Sequence, residues 1–131
     1  MEIEKVFVDE MLAHAREDAP NECCGIIAGK DGRPAKLFRA ANAEASPYRY
    51  NVDPKDLFRI HRECDENGWQ FLILYHSHTA SQAYPSPTDI RLAYWPECYY
   101  AIVSLQDPER PLVRAFRILD GDVNEEQLHL I

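Results

Sequence analysis

One stretch of the chain limits what it can fold into more than any other: the largely apolar run Trp69 to Tyr75, which ends in His76-Ser77-His78. Bounded by Gly68 on one side and a Thr/Ala/Ser/Pro loop on the other, it reads as a buried strand. A buried strand needs partners in a sheet and layers to cover it, and 131 residues leave room for a single domain with one core. The flanking sequence offers the parts. Val8, Met11, Leu12 and Ala15 recur at helical spacing and predict a helix from Val8 to Asp18, ending before Pro20. Cys23 to Ala28 and Ala35 to Ala41 read as a hairpin about Asp31-Gly32. Asp53-Pro54 supplies an N-cap and a first-turn proline for a second helix, which carries Leu57, Ile60 and Cys64 on one face and closes at Gly68. A short helix from Pro87 to about Tyr94 follows. Tyr99 to Leu105 and Val113 to Leu119 form a second hairpin, and Asp120-Gly121 turns into a short terminal segment. The expected fold is α/β: one domain over residues 1–131, with a mixed β-sheet flanked by helices.

Composition enters by exclusion. The formal charge is −8 and no window clusters Lys or Arg, so counterion release from a phosphate backbone offers little gain, and nucleic acid is not an expected partner. Apolar runs such as Phe71 to Tyr75 fall far short of the roughly 20 residues needed to cross a bilayer. Met1 to Val8 lacks the basic start and apolar middle of a signal peptide, which sets the expectation of a cytoplasmic protein that makes no membrane contact. The cysteines, Cys23, Cys24, Cys64 and Cys98, form no C-x-x-C, and reduced thiols are expected.

The chemistry concentrates between His76 and Asp89. Side chains two apart on a strand share a face, so the imidazoles of His76 and His78 can converge on one point. Asp89, at a helix start, can return a carboxylate oxygen to the same place. Two imidazoles and a carboxylate suit zinc and leave a fourth position for water, the layout of a catalytic rather than a structural site. A plainer reading stands beside it: Ser86-Pro87-Thr88-Asp89 also fits a helix N-terminal capping box, with Ser86 as N-cap. The two are compatible, because a cap can fix the direction from which Asp89 approaches. Cys23 and Cys24 read as small buried hydrophobes rather than nucleophiles, with Cys24 near the site. His14, His61 and His129 read as surface or satisfied residues. Trp69, Tyr99 and Tyr100 read as packing, and Tyr84 and Trp95 as walls of a substrate groove.

The pattern H-S-H-x7-S-x-x-D, from His76 to Asp89, resembles the signature of the JAMM (MPN+) zinc metalloproteases. Asn42-Ala43, Ser46-Pro47, Tyr50, Asp53-Pro54, Thr79 to Pro85 and Phe116 to Gly121 are similar to the small prokaryotic branch typified by the sulfur-carrier-protein cysteine peptidase (Mec). The resemblance implies a JAB1/MPN, cytidine-deaminase-like fold and one zinc ion per chain on His76, His78 and Asp89. Pro20-Asn21-Glu22-Cys23-Cys24-Gly25 is similar to the segment that carries the family's acid/base glutamate, which implies that role for Glu22. Ser86 is implied to stabilise the oxyanion. The implied substrate is a ubiquitin-like sulfur-carrier protein with a C-terminal Gly-Gly, cut to release cysteine in cysteine biosynthesis. Removal of a ubiquitin-like modifier from lysine is the nearest alternative, and a non-catalytic MPN scaffold the alternative of another class.

Overall fold

The computed structural model describes residues 1–131. Its main sheet forms because three hairpin turns and two crossovers bring six strands side by side. The first hairpin joins β2 (Cys24–Lys30) to β3 (Arg33–Ala40). Asp31 and Gly32 turn it with φ of 54° and 74°, the left-handed pair that matches strand twist in a two-residue turn. β3 leads to α2 (Pro54–Asn67), where the Asp53 side chain accepts from the Lys55 N–H and Gly68, at φ 69°, ends the helix. Then comes β4 (Gln70–His78), which pairs antiparallel with β2 and parallel with β5 (Tyr99–Ser104). The last strands, β6 (Leu112–Leu119) and β7 (Asp122–Glu126), add antiparallel, giving the order β3-β2-β4-β5-β6-β7.

The two faces of this mixed sheet bury different residues. Met11 and Ala15 of α1 (Lys5–Asp18) pack on Ile27, Ile73, Tyr75, Ala101 and Val103. Ile60 and Cys64 of α2 cover Ile26, Leu74, Tyr100, Ile102 and Phe116 on the opposite face. β4 therefore has apolar neighbours on both sides, as its sequence requires.

Three elements differ from the expectation. α1 starts at Lys5 rather than Val8, with no side-chain cap on Glu4. The third helix, α3 (Pro87–Arg91), spans five residues and stops before Tyr94. The terminal segment is richer than a tail: β7 forms an edge strand, and β8 (His129–Leu130) pairs parallel with β1 (Glu2–Ile3).

One contact ties the fold to the site strand. Tyr75 is locked from below by His14, whose Nδ1 lies 2.7 Å from its hydroxyl, while Asp18 holds the other ring nitrogen at 3.2 Å. Directly across the ladder stands Gly25, and a Cβ there would run into the Tyr75 ring. Gly25→Ala is expected to cost about 1–3 kcal/mol, as overpacking does, measured as a lower urea midpoint at unchanged slope.

Candidate functional site

β4 and β5 are the only parallel neighbours in the main sheet, and the chain must leave β4 at its carboxyl end to cross over. Open α/β sheets place ligand sites at such ends. His76 and His78 occupy that end as strand residues, opposite Ile102 and Ser104 of β5, and both are buried. The crossover carries α3, whose start brings in Asp89. The capping box is real: Ser86 Oγ accepts from Asp89 N–H at 3.0 Å, and Asp89 Oδ2 accepts from Ser86 N–H at 2.9 Å. The same Oδ2 lies 3.1 Å from His76 Nε2 and 3.0 Å from His78 Nε2, and the two nitrogens are 3.2 Å apart. Capping and convergence are one arrangement, because the cap aims the carboxylate.

Three features of this cluster fit a cation at its centre. The Gln82 carbonyl can only accept, so the 2.9 Å contact with His78 Nδ1 makes that nitrogen the donor and leaves Nε2 of the neutral ring as a lone pair. Lone pairs of Nε2 and Oδ2 then face each other, which needs a proton or a metal between them. Zinc bonds of about 2.0–2.2 Å in a tetrahedron put neighbouring donor atoms about 3.3 Å apart, close to the spacing observed. Finally, the three donor atoms are a mixed nitrogen and oxygen set within 4.8 Å of one another, and no other group of three or more such residues is drawn together.

The electrostatics separate the groups. Burial alone would raise the Asp89 pKa, but bonds with both imidazoles overcome it and hold the carboxyl well below the usual carboxylate range. Burial lowers His76, with Asp89 opposing. Burial also acts downward on His78, but Asp89 and the Gln82 carbonyl outweigh it and the net shift is upward. Glu22, 4% exposed, lies at the entry to β2 near His78 and Asp89. Burial pushes its carboxyl up to about 7, with His78 acting downward and Asp89 upward. Glu22 Oε1 and His76 Nδ1 are the two buried side-chain atoms with no hydrogen-bond partner. Both belong to this site, and such atoms in a native fold call for a functional account.

All five residues singled out in the sequence lie at or beside this cluster. Three others were not anticipated in their roles. The Tyr50 ring stacks on His76 with centroids 4.3 Å apart, fixing its plane. Gln82 acts through its carbonyl, so no side-chain type could announce it. The Ser77 hydroxyl, on the opposite face of β4, accepts from Cys23 N–H at 2.8 Å and pins the strand that follows Glu22. Trp95 does wall a pocket of 230 Å³ that begins at Asp89, together with Tyr50, Leu57 and Tyr94. Tyr84 does not, because its ring packs edge-on against Phe116. Burial pushes both the Cys23 and Cys24 thiols up to about 12, so neither offers a thiolate. His14 is buried and satisfied, His61 stacks on Phe71, and His129 is exposed on β8.

Comparison with known proteins points the same way. The family described as prokaryotic homologs of the JAB domain matches residues 4–119. The chain is 42% identical to the CysO-cysteine peptidase of Mycobacterium tuberculosis over 127 residues, 95% of this chain and 87% of that protein. It is 37% identical to a desampylase of Haloferax volcanii over 103 residues, covering 73% and 74% of the two chains. The solution structure of a Desulfitobacterium hafniense protein superposes with a TM-score of 0.89 at 36% identity, over 99% of this chain and 92% of that one.

Proposed function

The chain belongs to the family of prokaryotic JAB-domain proteins, and we propose that it is a zinc peptidase that hydrolyses the amide after the C-terminal Gly-Gly of a ubiquitin-like sulfur-carrier protein, releasing cysteine and free carrier. One observation supports this reading above others: three metal-suited donor atoms converge beside a buried carboxylate oxygen that has no partner. A scaffold protein has no use for that arrangement. The single domain over residues 1–131 would carry the whole activity, and four free, buried cysteines suit a reducing cytoplasm.

His76, His78 and Asp89 would hold the ion. Zinc in that position supplies Lewis acidity, bringing the ionisation of water down towards pH 7 and polarising the glycine carbonyl. Glu22 takes one proton from water through its unpartnered Oε1 as the C–O bond is made, and returns it to the departing nitrogen, after which the C–N bond breaks. Without the ion, burial raises its carboxyl to about 7, which makes it a ready carrier of a proton. The Ser86 hydroxyl already accepts from Asp89 N–H and keeps its own hydrogen to donate to the oxyanion. Glycine at the tail lets the backbone come close to the ligand triangle, and the extended tail suits addition to a sheet edge.

The desampylase relative favours a second reading, removal of a modifier from lysine. A mass-spectrometric assay with carrier-Gly-Gly-cysteine and a carrier-Gly-Gly-lysine isopeptide separates them. The cysteine adduct is expected to be cleaved at least about 10-fold faster, a difference of roughly 1.4 kcal/mol in transition-state binding. Preference for the isopeptide would give the protein the deconjugating role, and inertness towards both with zinc bound would give it the scaffold role.

A further inference from the structure

The link between β3 and α2, residues 41–53, supplies no group to the chemistry above, yet it touches the site at two places. Glu22 lies before the first residue of β2, so no strand ladder holds its backbone. The link holds it instead: Glu22 N–H donates to the Ser46 carbonyl at 2.9 Å, and the Glu22 carbonyl accepts from Asn42 Nδ2 at 3.1 Å. From the same link the Tyr50 ring stacks on His76, with the ring planes 19° apart. One short segment therefore bears on both the acid/base carboxyl and a metal ligand.

Asn42 ties this segment together. Its Nδ2 also donates to the Arg49 carbonyl at 3.0 Å, and its Oδ1 accepts from the N–H groups of Glu44 and Asn51, both at 3.0 Å. Both donors and both lone pairs are in use. Because a carbonyl only accepts and a backbone N–H only donates, these four partners also fix which way the amide points. The segment closes around it: Asn42 and Val52 form one antiparallel bridge, and Ala43 N–H donates to the Asn51 carbonyl at 2.8 Å. Within the turn Ala45 takes a φ of 45°, which a residue with a Cβ rarely adopts, so the shape is imposed by the bonds to Asn42. Aspartate has no N–H to donate, serine lacks the second donor, and glutamine is a methylene longer.

Glu22 needs such a hold. Its Oε1 has no partner, so the direction of the carboxyl has to be set through the backbone. The next residue, Cys23, is fixed to β4 by Ser77, which accepts from Cys23 N–H at 2.8 Å through its hydroxyl and donates its own N–H to the Cys23 carbonyl at 3.2 Å. Glu22 is fixed by the link alone. We propose that Asn42 is a positioning residue: by holding the Glu22 and Arg49 carbonyls with one amide, it sets where the Glu22 carboxyl stands relative to the ligand triangle. The inference rests on the functional reading above and deepens it. Proton transfer requires approach to within about 2.6–3.2 Å, and a displacement of about 1 Å can cost on the order of 100-fold in rate.

The test compares Asn42→Ala with Asn42→Asp. Aspartate keeps an oxygen for the Glu44 and Asn51 N–H groups and loses both donors, so the turn is retained while the Glu22 carbonyl is released. On carrier-Gly-Gly-cysteine both variants are expected to lower kcat by about 10- to 100-fold, with KM within about 3-fold and zinc still at one per chain. In a Glu22→Gln background the same substitutions should lower kcat by less than about 2-fold, because the group they position has already been removed. Hydrogen exchange gives a readout without turnover or metal: in chelator the Glu22 amide of Asn42→Asp should exchange at least about 10-fold faster, while that of Cys23, held by Ser77, keeps its rate. A role in loop stability alone would leave Asn42→Asp near the wild type and give equal losses in the two backgrounds. Either of those results, or unchanged exchange at Glu22, would overturn the positioning role while leaving the peptidase reading intact. Inertness of the zinc-loaded wild type towards the adduct would instead overturn the peptidase reading, and the proposal with it.

Discussion

His78→Ala is expected to abolish zinc binding and hydrolysis together. The parent should carry one zinc per chain by elemental analysis, and the variant none after the same preparation. His78 is a cleaner choice than Asp89, whose carboxylate also accepts from Ser86 N–H and so helps to start α3. The His78 ring makes one bond outside the ligand triangle, to the Gln82 carbonyl, and its loss leaves a backbone acceptor in a partly exposed loop. Two donor atoms then remain where a catalytic zinc site needs three. Added zinc should raise the parent's Tm in proportion to the logarithm of its excess over Kd, and should leave the variant's Tm unmoved. A variant that kept stoichiometric zinc and activity would remove His76, His78 and Asp89 as the metal site.

The parts legible in the sequence were those whose signal is local and strong. Asp31-Gly32 announces a two-residue hairpin because both positions take positive φ, and Asp53-Pro54 with Gly68 brackets α2 by the chemistry of its caps. The H-x-H spacing marks a shared strand face wherever it falls, so the two imidazoles could be paired without knowing what lay beside them. Ser86 and Asp89 carried two meanings, and the structure keeps both, since the cap is what directs the carboxylate at the nitrogens. The misses are non-local. β1 and β8 are two residues each, too short to carry a period, and they form only because the fold brings them together. β7 reads as polar because it is an edge strand with little to bury, and Arg114 on β6 holds it through both oxygens of Glu125. Tyr84 and Trp95 are both aromatic and near the motif; only the direction of each ring, set by Phe116 in one case and Phe71 in the other, decides which faces the pocket.

Glu22→Gln should separate chemistry from structure. The amide keeps the shape and size of the carboxyl but cannot take a proton from water, so zinc content should be unchanged while kcat falls by about 100- to 10,000-fold. The same substitution should stabilise the metal-free protein, and the effect should depend on pH in a definite sense. Burial raises the Glu22 pKa from 4.5 to about 7, so the folded state holds a proton that the unfolded chain releases from about pH 4.5 upward. Below about pH 4.5 both states are protonated and the shift leaves the fold without penalty. Between pH 4.5 and 7 the parent loses stability as pH rises, and above about 7 the loss is constant at up to roughly 3 kcal/mol. Glutamine does not titrate and escapes this loss. In chelator, the variant should therefore outlast the parent in denaturant at pH 8, and the gap should close towards pH 4. A gap independent of pH would mean that Glu22 is charged in the fold, and it would remove the buried, proton-holding carboxyl on which the mechanism depends. The expected outcome, a more stable and nearly inactive protein, follows from one fact: the oxygen that catalysis needs unpartnered is the oxygen that folding would rather see paired.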